Sequence, residues 1–332
     1  MSRNTFLYIA VLFGIFITGC TTLKHDDDAT RSSYLFVHFV KNGADGLHLA
    51  VSNDGYRWEK VNSGRTVLVP KVGKERLIRD PNIILGKDGT FHMVWTTGWN
   101  ASGIGYSSSR DLLNWTDQRE IPVMAHEPNV LNAWAPEIIF DEKADEFLIH
   151  WASTVPGKFE NTAGTSEKNY NHRIYSTTTK DFQHFGKTRL FYDPGFSVID
   201  ATLLRFNGRQ YWFAKDETVN PPKKYLQFAE VDSIQGAIGR LGKPMTPGGL
   251  WVEGPTAIQI GEYAVVYFDA YQRQFYGALR SKDLINWEDV TSQISLPDEG
   301  TPLRVRHGTI ITIPRELAGR LRNSQINLGV PP

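Results

Sequence analysis

Three carboxylic acids stand at the openings of short β-prone runs far apart in the chain: Asp80 in Asp80-Pro-Asn-Ile-Ile-Leu, Asp200 in Asp200-Ala-Thr-Leu-Leu, and Glu253 in Glu253-Gly-Pro-Thr-Ala-Ile. Two further runs of the same shape open on Trp134 (Trp134-Ala-Pro-Glu-Ile-Ile-Phe) and His307 (His307-Gly-Thr-Ile-Ile-Thr-Ile). The steps between these opening residues are 54, 66, 53 and 54, one period with a single long interval. A fold that gathers equivalent ends of the five runs would bring three acids, an indole and an imidazole into one pocket. Like charges crowded in a partly dry cavity raise at least one pKa, the condition that acid–base chemistry uses. Two carboxyl groups flanking a sugar serve as general base and general acid, one activating water and the other protonating the leaving oxygen. A third tunes the acid, and an aromatic wall such as Trp134 suits the apolar face of a pyranose or furanose ring.

The elements that must position these residues repeat as well. A turn phrase recurs at Ser52–Trp58, Ser109–Trp115, Thr179–Phe185 and Ser281–Trp287, with a degenerate copy at Glu230–Asp232. The aspartates Asp54, Asp111, Asp181, Asp232 and Asp283 are 57, 70, 51 and 51 residues apart. The second interval is again the long one, and the polar stretch from Thr154 to Asn171 accounts for it as an inserted loop. Aspartate in such a phrase caps a turn by accepting backbone N–H groups, so Asp54, Asp111, Asp181 and Asp283 carry no catalytic role. Four units read as inner strand, second strand, third strand and turn. The fifth is split, with His307–Ile313 supplying an inner strand at the C-terminus and Tyr34–Val40, Gly46–Val51 and the Asp54 turn supplying outer strands at the N-terminus. The expectation is an all-β, five-bladed β-propeller closed by sharing N- and C-terminal strands in one blade.

Composition narrows the function further. Lys+Arg and Asp+Glu both total 36, giving a net charge of +0, which disfavours a nucleic-acid partner. A hydrophobic content of 41% excludes wholesale disorder, and 29 Gly, 17 Pro and 12% aromatics suit many tight turns between aromatic strands. Residues 1–19 read as a secretory leader whose apolar run, Phe6–Ile17, is too short to span a bilayer. The run ends at Ile17-Thr-Gly-Cys20, which resembles a bacterial lipobox and implies lipidation of Cys20, the sole cysteine. Residues 20–32 then form a tether, and 33–332 a single propeller domain lipid-anchored at an outer membrane or cell surface, with the periplasmic face as the alternative. A monomer is expected.

The ring residues and their neighbours resemble glycoside hydrolase family 43 and its propeller relatives. The matching phrases are Arg79-Asp80-Pro81, Trp134-Ala135-Pro136, Ile199-Asp200, Glu253-Gly254-Pro255 and Arg306-His307-Gly308. The resemblance implies that Asp80 is the general base, Asp200 the modulator of the acid's pKa, and Glu253 the general acid of an inverting exo-glycosidase. Family members act on terminal arabinofuranosides, xylosides or galactosides of plant or algal polysaccharides. It further implies roughly 6.5–9.5 Å between the base and acid carboxyls. No cofactor is required by this chemistry, and the resemblance puts a water or a calcium ion near His307. Trp134, His307, Arg306 and Trp99 are the candidates for substrate contact. Arg79 and Arg306 either brace their strands or bind the carboxylate of a uronic sugar. Glu137, His126, His172, Arg173, Lys215, Asp216 and Trp251 lie in or near loops that reach towards the same funnel. Other functions that fit the fold are a glycan-binding propeller without turnover, a fructosidase, an anhydrogalactosidase and a phosphorylase.

Overall fold

The computed structural model describes Met1 and residues 32–326 except residue 237. The leader after Met1, Cys20 and the tether up to residue 31 lie outside the described residues. Five antiparallel sheets follow one another. The first holds Arg79–Leu85, Phe91–Thr96, Ile104–Ser109 and Arg119–Ile121; the second holds Trp134–Asp141, Glu146–Ser153, Arg173–Thr179 and Arg189–Tyr192. The third has three strands, Val198–Phe206, Arg209–Asp216 and Leu226–Val231, and the fourth has Glu253–Ile260, Tyr263–Ala270, Phe275–Ser281 and Glu288–Asp289. The fifth is composite: Val305–Pro314 pairs with Ser32–Val40, which pairs with His48–Ser52 and then Glu59–Lys60.

The leading strand of each sheet packs against the leading strands of its two neighbours, and the set closes into a ring. The molecule is therefore a five-bladed propeller sealed by its two chain ends, as the split fifth repeat requires. Its apolar side chains fill five separate interfaces between adjacent blades instead of one central core. Trp95, Trp151 and Trp212, each on the second strand of its blade, are fully buried there. Burial of large aromatic surface at every interface supplies the cohesion that a wide ring of polar inner strand ends cannot.

The recurrent turn phrase works as an Asp-capped turn. Ser109 Oγ accepts the Leu112 N–H at 2.8 Å, while Asp111 Oδ1 accepts the Leu113 and Asn114 N–H groups at 2.9 and 2.7 Å. Asp54, Asp181 and Asp283 repeat the pattern. The residue after each aspartate is left-handed, with φ of 78° at Gly55, 67° at Leu112, 54° at Phe182 and 60° at Leu284. A helix over Arg315–Arg322, not anticipated from the sequence, buries Leu317, Ala318 and Leu321 against the interface between the fifth and first blades. Among the described residues no helix is long and apolar enough to cross a membrane.

Candidate active site

Each inner strand is broken by a bulge near its start, and the bulge aims the functional side chains. Pairing slips between Arg79 and Asn82, Trp134 and Glu137, Ile199 and Thr202, and Glu253 and Thr256. The residue that absorbs each slip is left-handed: Asp80 (φ 49°), Ala135 (46°), Asp200 (53°) and Gly254 (54°). An extra residue with positive φ turns the strand end towards the axis, at a cost that Asp tolerates better than most side chains. This corrects one point of the repeat. Asp80 and Asp200 share a position, but Trp134 and Glu253 stand one residue earlier, level with Arg79 and Ile199. At the same level as Asp80 the fourth blade has Gly254, where a Cβ would lie 2.1 Å from the His307 Cβ, so glycine makes room for the imidazole.

The three acids nonetheless meet in one cleft of about 340 Å³. Thr96 Oγ1 donates to Asp80 Oδ2 at 2.7 Å, fixing that carboxylate, while Asp80 Oδ1 has no hydrogen-bond partner among the described residues. His307 stands between Asp80 and Glu253, with Nδ1 3.3 Å from Asp80 Oδ1 and Nε2 3.3 Å from Glu253 Oε1. Burial opposes its charged form, but Asp80, Glu253 and Asp200 outweigh burial and raise the imidazole above its ordinary value. Asp200 accepts the Gly254 N–H at 2.9 Å, tying the third blade to the fourth. Burial pushes its carboxyl up to about 6, with Lys215 and His307 pulling the other way.

Glu253 is the most heavily countered acid. Arg306 donates to Oε1 at 2.7 Å, and Lys215 Nζ lies 3.5 Å from Oε2. Burial acts to raise this carboxyl, yet Lys215, His307 and Arg306 prevail and hold it well below its usual range. Lys215 is buried and also pairs with Glu217 at 2.6 Å, and Glu217 in turn pairs with the buried Lys224. His307 therefore holds its proton more readily than a free imidazole, Asp200 gives up its proton only at about 6, and Glu253 is ionised.

Aromatic side chains line one wall. Trp134 meets Trp99 edge-on with ring centroids 5.5 Å apart, and its indole N–H donates to the Trp99 carbonyl at 3.1 Å. Tyr170 packs 4.8 Å from Trp134. The inserted loop is thus part of the site, because Glu167, Lys168 and Tyr170 from it border the cleft. Of the loop candidates, His172 and Lys215 reach the cleft as anticipated. Glu137 lies deeper, in the central channel below Asp80 and Asp200, where burial holds its carboxyl well above the ordinary range. Arg173 is buried against Asp193, Thr162 and Asn171 and braces the insert, Asp216 pairs with Lys223, His126 is exposed beside Glu127, and Trp251 stacks near Lys224. Thr96, Asn42, Glu217 and Tyr271 belong to the site without having been singled out by any spacing. Glu217 follows Asp216 on the chain, but its pairing with two lysines is a tertiary fact.

Glu253, Asp269 and His307 bring one ligand atom each within 4.8 Å of one another, the composition of a cation site. The charges around them do not fit one. Arg304 holds Asp269 Oδ1 at 2.9 Å and Arg306 holds Oδ2 at 2.5 Å, so both oxygens already face guanidinium. Calcium takes about six to eight oxygen ligands, and this set offers two carboxylates already paired with arginine. No step is routed through a metal.

Residues 29–318 match the family described as a probable glycosyl hydrolase domain. An α-L-arabinofuranosidase of Bifidobacterium longum subsp. longum is 24% identical over 298 residues, covering 81% of this chain but 27% of that protein, so the chain spans only about a quarter of that relative's length. Among solved structures, an α-L-arabinofuranosidase from Lactobacillus brevis superposes with a TM-score of 0.50 at 16% identity, over 64% of this chain and 72% of that one. An exo-β-1,3-galactanase from Phanerochaete chrysosporium, solved with galactose, gives 0.50 at 13% identity over 69% and 51%. The structural likenesses speak for the propeller, and the match over residues 29–318 decides the membership: this chain belongs to the probable glycosyl hydrolase domain family.

Proposed function

We propose that the protein is an inverting exo-glycoside hydrolase that removes terminal sugars, of the arabinofuranoside, xyloside or galactoside class, from plant or algal polysaccharides. The observation that carries this reading is the disposition of Asp80 and Glu253 in one cleft with the His307 ring between them, 3.3 Å from an oxygen of each. Two carboxylates kept apart on a shared cavity suit a base on one side of the anomeric carbon and an acid on the other. Asp80 is the base that takes a proton from water; its Oδ1 has no hydrogen bond among the described residues and lies 3.3 Å from the His307 Nδ1. Glu253 has to carry a proton to serve as acid. A leaving group seated against it loosens the Arg306 or Lys215 contacts that keep it ionised in the free site. Asp200, whose carboxyl titrates at about 6, supplies the third charge that sets this balance.

The relatives named above are arabinofuranosidases and an exo-β-1,3-galactanase, which supports the arabinofuranoside and galactoside classes without selecting between them. Hydrolysis of a panel of aryl glycosides tests the reading. Asp80→Asn and Glu253→Gln should each lower kcat/KM by about 10²–10⁴-fold on whichever substrate proves active, and proton NMR should show the opposite anomer released first. Full activity in both variants, or a retained configuration, would overturn it. The same proposal places the domain at a bacterial membrane through lipid on Cys20; metabolic labelling with a clickable fatty acid, abolished in Cys20→Ala, is the expected result.

A further inference from the structure

Buried cations are usually paired directly with a carboxylate, and the cleft contains one that has no such contact among the described residues. Four Lys and Arg residues are buried among the described residues: Arg79, Arg173, Lys215 and Lys224. Arg173 pairs with Asp193, and Lys215 and Lys224 both pair with Glu217. Arg79, 7% exposed, has no ion pair among the described residues. Its side chain donates to Asn42 Oδ1 at 2.9 Å, and the guanidinium lies over two rings, 4.7 Å from the Phe39 centroid and 4.3 Å from that of Trp99. Two aromatic faces hold the planar fork in place; Asp80, Glu253 and Asp200 favour its charge from a distance, but its contact partners are neutral.

Arg79 also borders the cleft that holds Asp80 and Glu253, so a ligand there can reach it. The chain offers a contrast one blade away. Arg306 stands at the equivalent place before His307, but both Asp269 and Glu253 occupy it, so it braces the site. Lys41 and Lys168, exposed at the rim of the same cleft, make no ion pair among the described residues either. One side of the cleft thus carries three cations without a directly paired carboxylate among the described residues.

We propose that Arg79 makes this cleft a receptor for a sugar bearing an anionic group, the C6 carboxylate of a uronic acid, with Trp99 alongside as the stacking face. A planar guanidinium donates to both oxygens of a carboxylate in a two-point contact, and a sulfate ester offers oxygens that accept in the same way. The inference rests on the glycosidase reading for the identity of the ligand as a sugar. It adds to that reading which sugars the site prefers.

The test is a calorimetric titration of the intact protein with galacturonate, glucuronate, galactose 6-sulfate and galactose, with kcat/KM measured on matched aryl uronides and neutral aryl glycosides. At least one of the anionic sugars should bind about tenfold or more tighter than galactose, and the preference should weaken as salt is raised. A preference for the sulfate alone supports the anion subsite and names its source. In Arg79→Met the ratio of kcat/KM for charged over neutral substrate should fall by about thirty-fold or more, with Arg79→Lys losing less. Wild-type protein that binds charged and neutral sugars equally overturns the inference while leaving hydrolysis of neutral glycosides to support the enzyme. Tight uronate binding with no cleavage of any glycoside keeps the subsite and overturns the enzyme.

Discussion

Asp200 shows how the site uses a cost. A buried carboxyl that titrates at about 6 instead of its usual 3.8 binds its proton more tightly in the folded than in the unfolded chain. The sign follows from linkage: stability from the bound proton is fully present below the unfolded value and is lost as pH rises through the folded one, so the ionised group penalises the fold at neutral pH. Asn at 200 retains an oxygen to accept the Gly254 N–H and carries no charge. Asp200→Asn should therefore stabilise the protein by about 1–3 kcal/mol at pH 7–8, with the gain vanishing below pH 4, while activity falls. Urea unfolding across pH 4–8 measures this; a variant less stable than wild type at pH 8 would mean that the carboxylate is a net anchor for Lys215 and His307. His307 responds in the same sense, because its folded value is raised as well. Its imidazolium contributes stability that is complete below its ordinary 6.5 and is lost as pH rises through the raised folded value.

The element that decides the site is the bulge at each inner strand end. The period placed all five strand ends at one ring, because hydrophobic runs, turn phrases and their spacing are written directly in residue types. The one-residue offset of Glu253 and Trp134 was not legible, since it depends on which residue adopts positive φ, and Asp80, Ala135, Asp200 and Gly254 have no side-chain type in common. The small or proline residue after each of them, at Pro81, Pro136, Ala201 and Pro255, was the available signal. Second-strand and loop residues such as Thr96, Asn42 and Tyr170 reach the cleft through tertiary packing that no period encodes. The bulge makes a sharp prediction at Gly254. Gly254→Ala adds a methyl that collides with His307 on top of the left-handed strain, whereas Gly89→Ala, at φ 77° in a turn with nothing within 4 Å, meets the strain alone. Thermal unfolding should show a loss of about 1 kcal/mol for Gly89→Ala and about 2 kcal/mol or more for Gly254→Ala. Only the latter should lower kcat, because the imidazole between Asp80 and Glu253 has to move. Equal losses in the two variants, with kcat intact, would show that the His307 ring yields without consequence for the acids.

At the scale of the whole molecule, stability and chemistry depend on the same closure. The strand Val305–Pro314 does three things at once. It pairs along Ser32–Val40 from Pro314↔Ser32 to Gly308↔His38, it covers the apolar faces of both the fourth and the first blades, and it delivers Arg306 and His307 to the cleft. Asn82 Nδ2 donates to Thr309 Oγ1 at 2.9 Å across the seam, a contact between residues at opposite ends of the domain. A ring with this seam open exposes the Phe36 and Leu35 strand as an unpaired edge, and such edges associate with other chains. The contacts across the seam are among the most distant in sequence, so they form last if folding proceeds from local pairings outward. A chain ending at Ser295 or anywhere before Val305 should therefore fail to unfold cooperatively, bind a hydrophobic dye and aggregate, even though four blades remain intact in sequence. Supplying residues 296–326 as a separate peptide should recover a cooperative transition together with glycosidase activity, since strand and histidine return in one step. A truncated chain that melts cooperatively as a monomer would show that four blades close without the fifth, and the coupling between sealing the ring and assembling the acid pair would be lost.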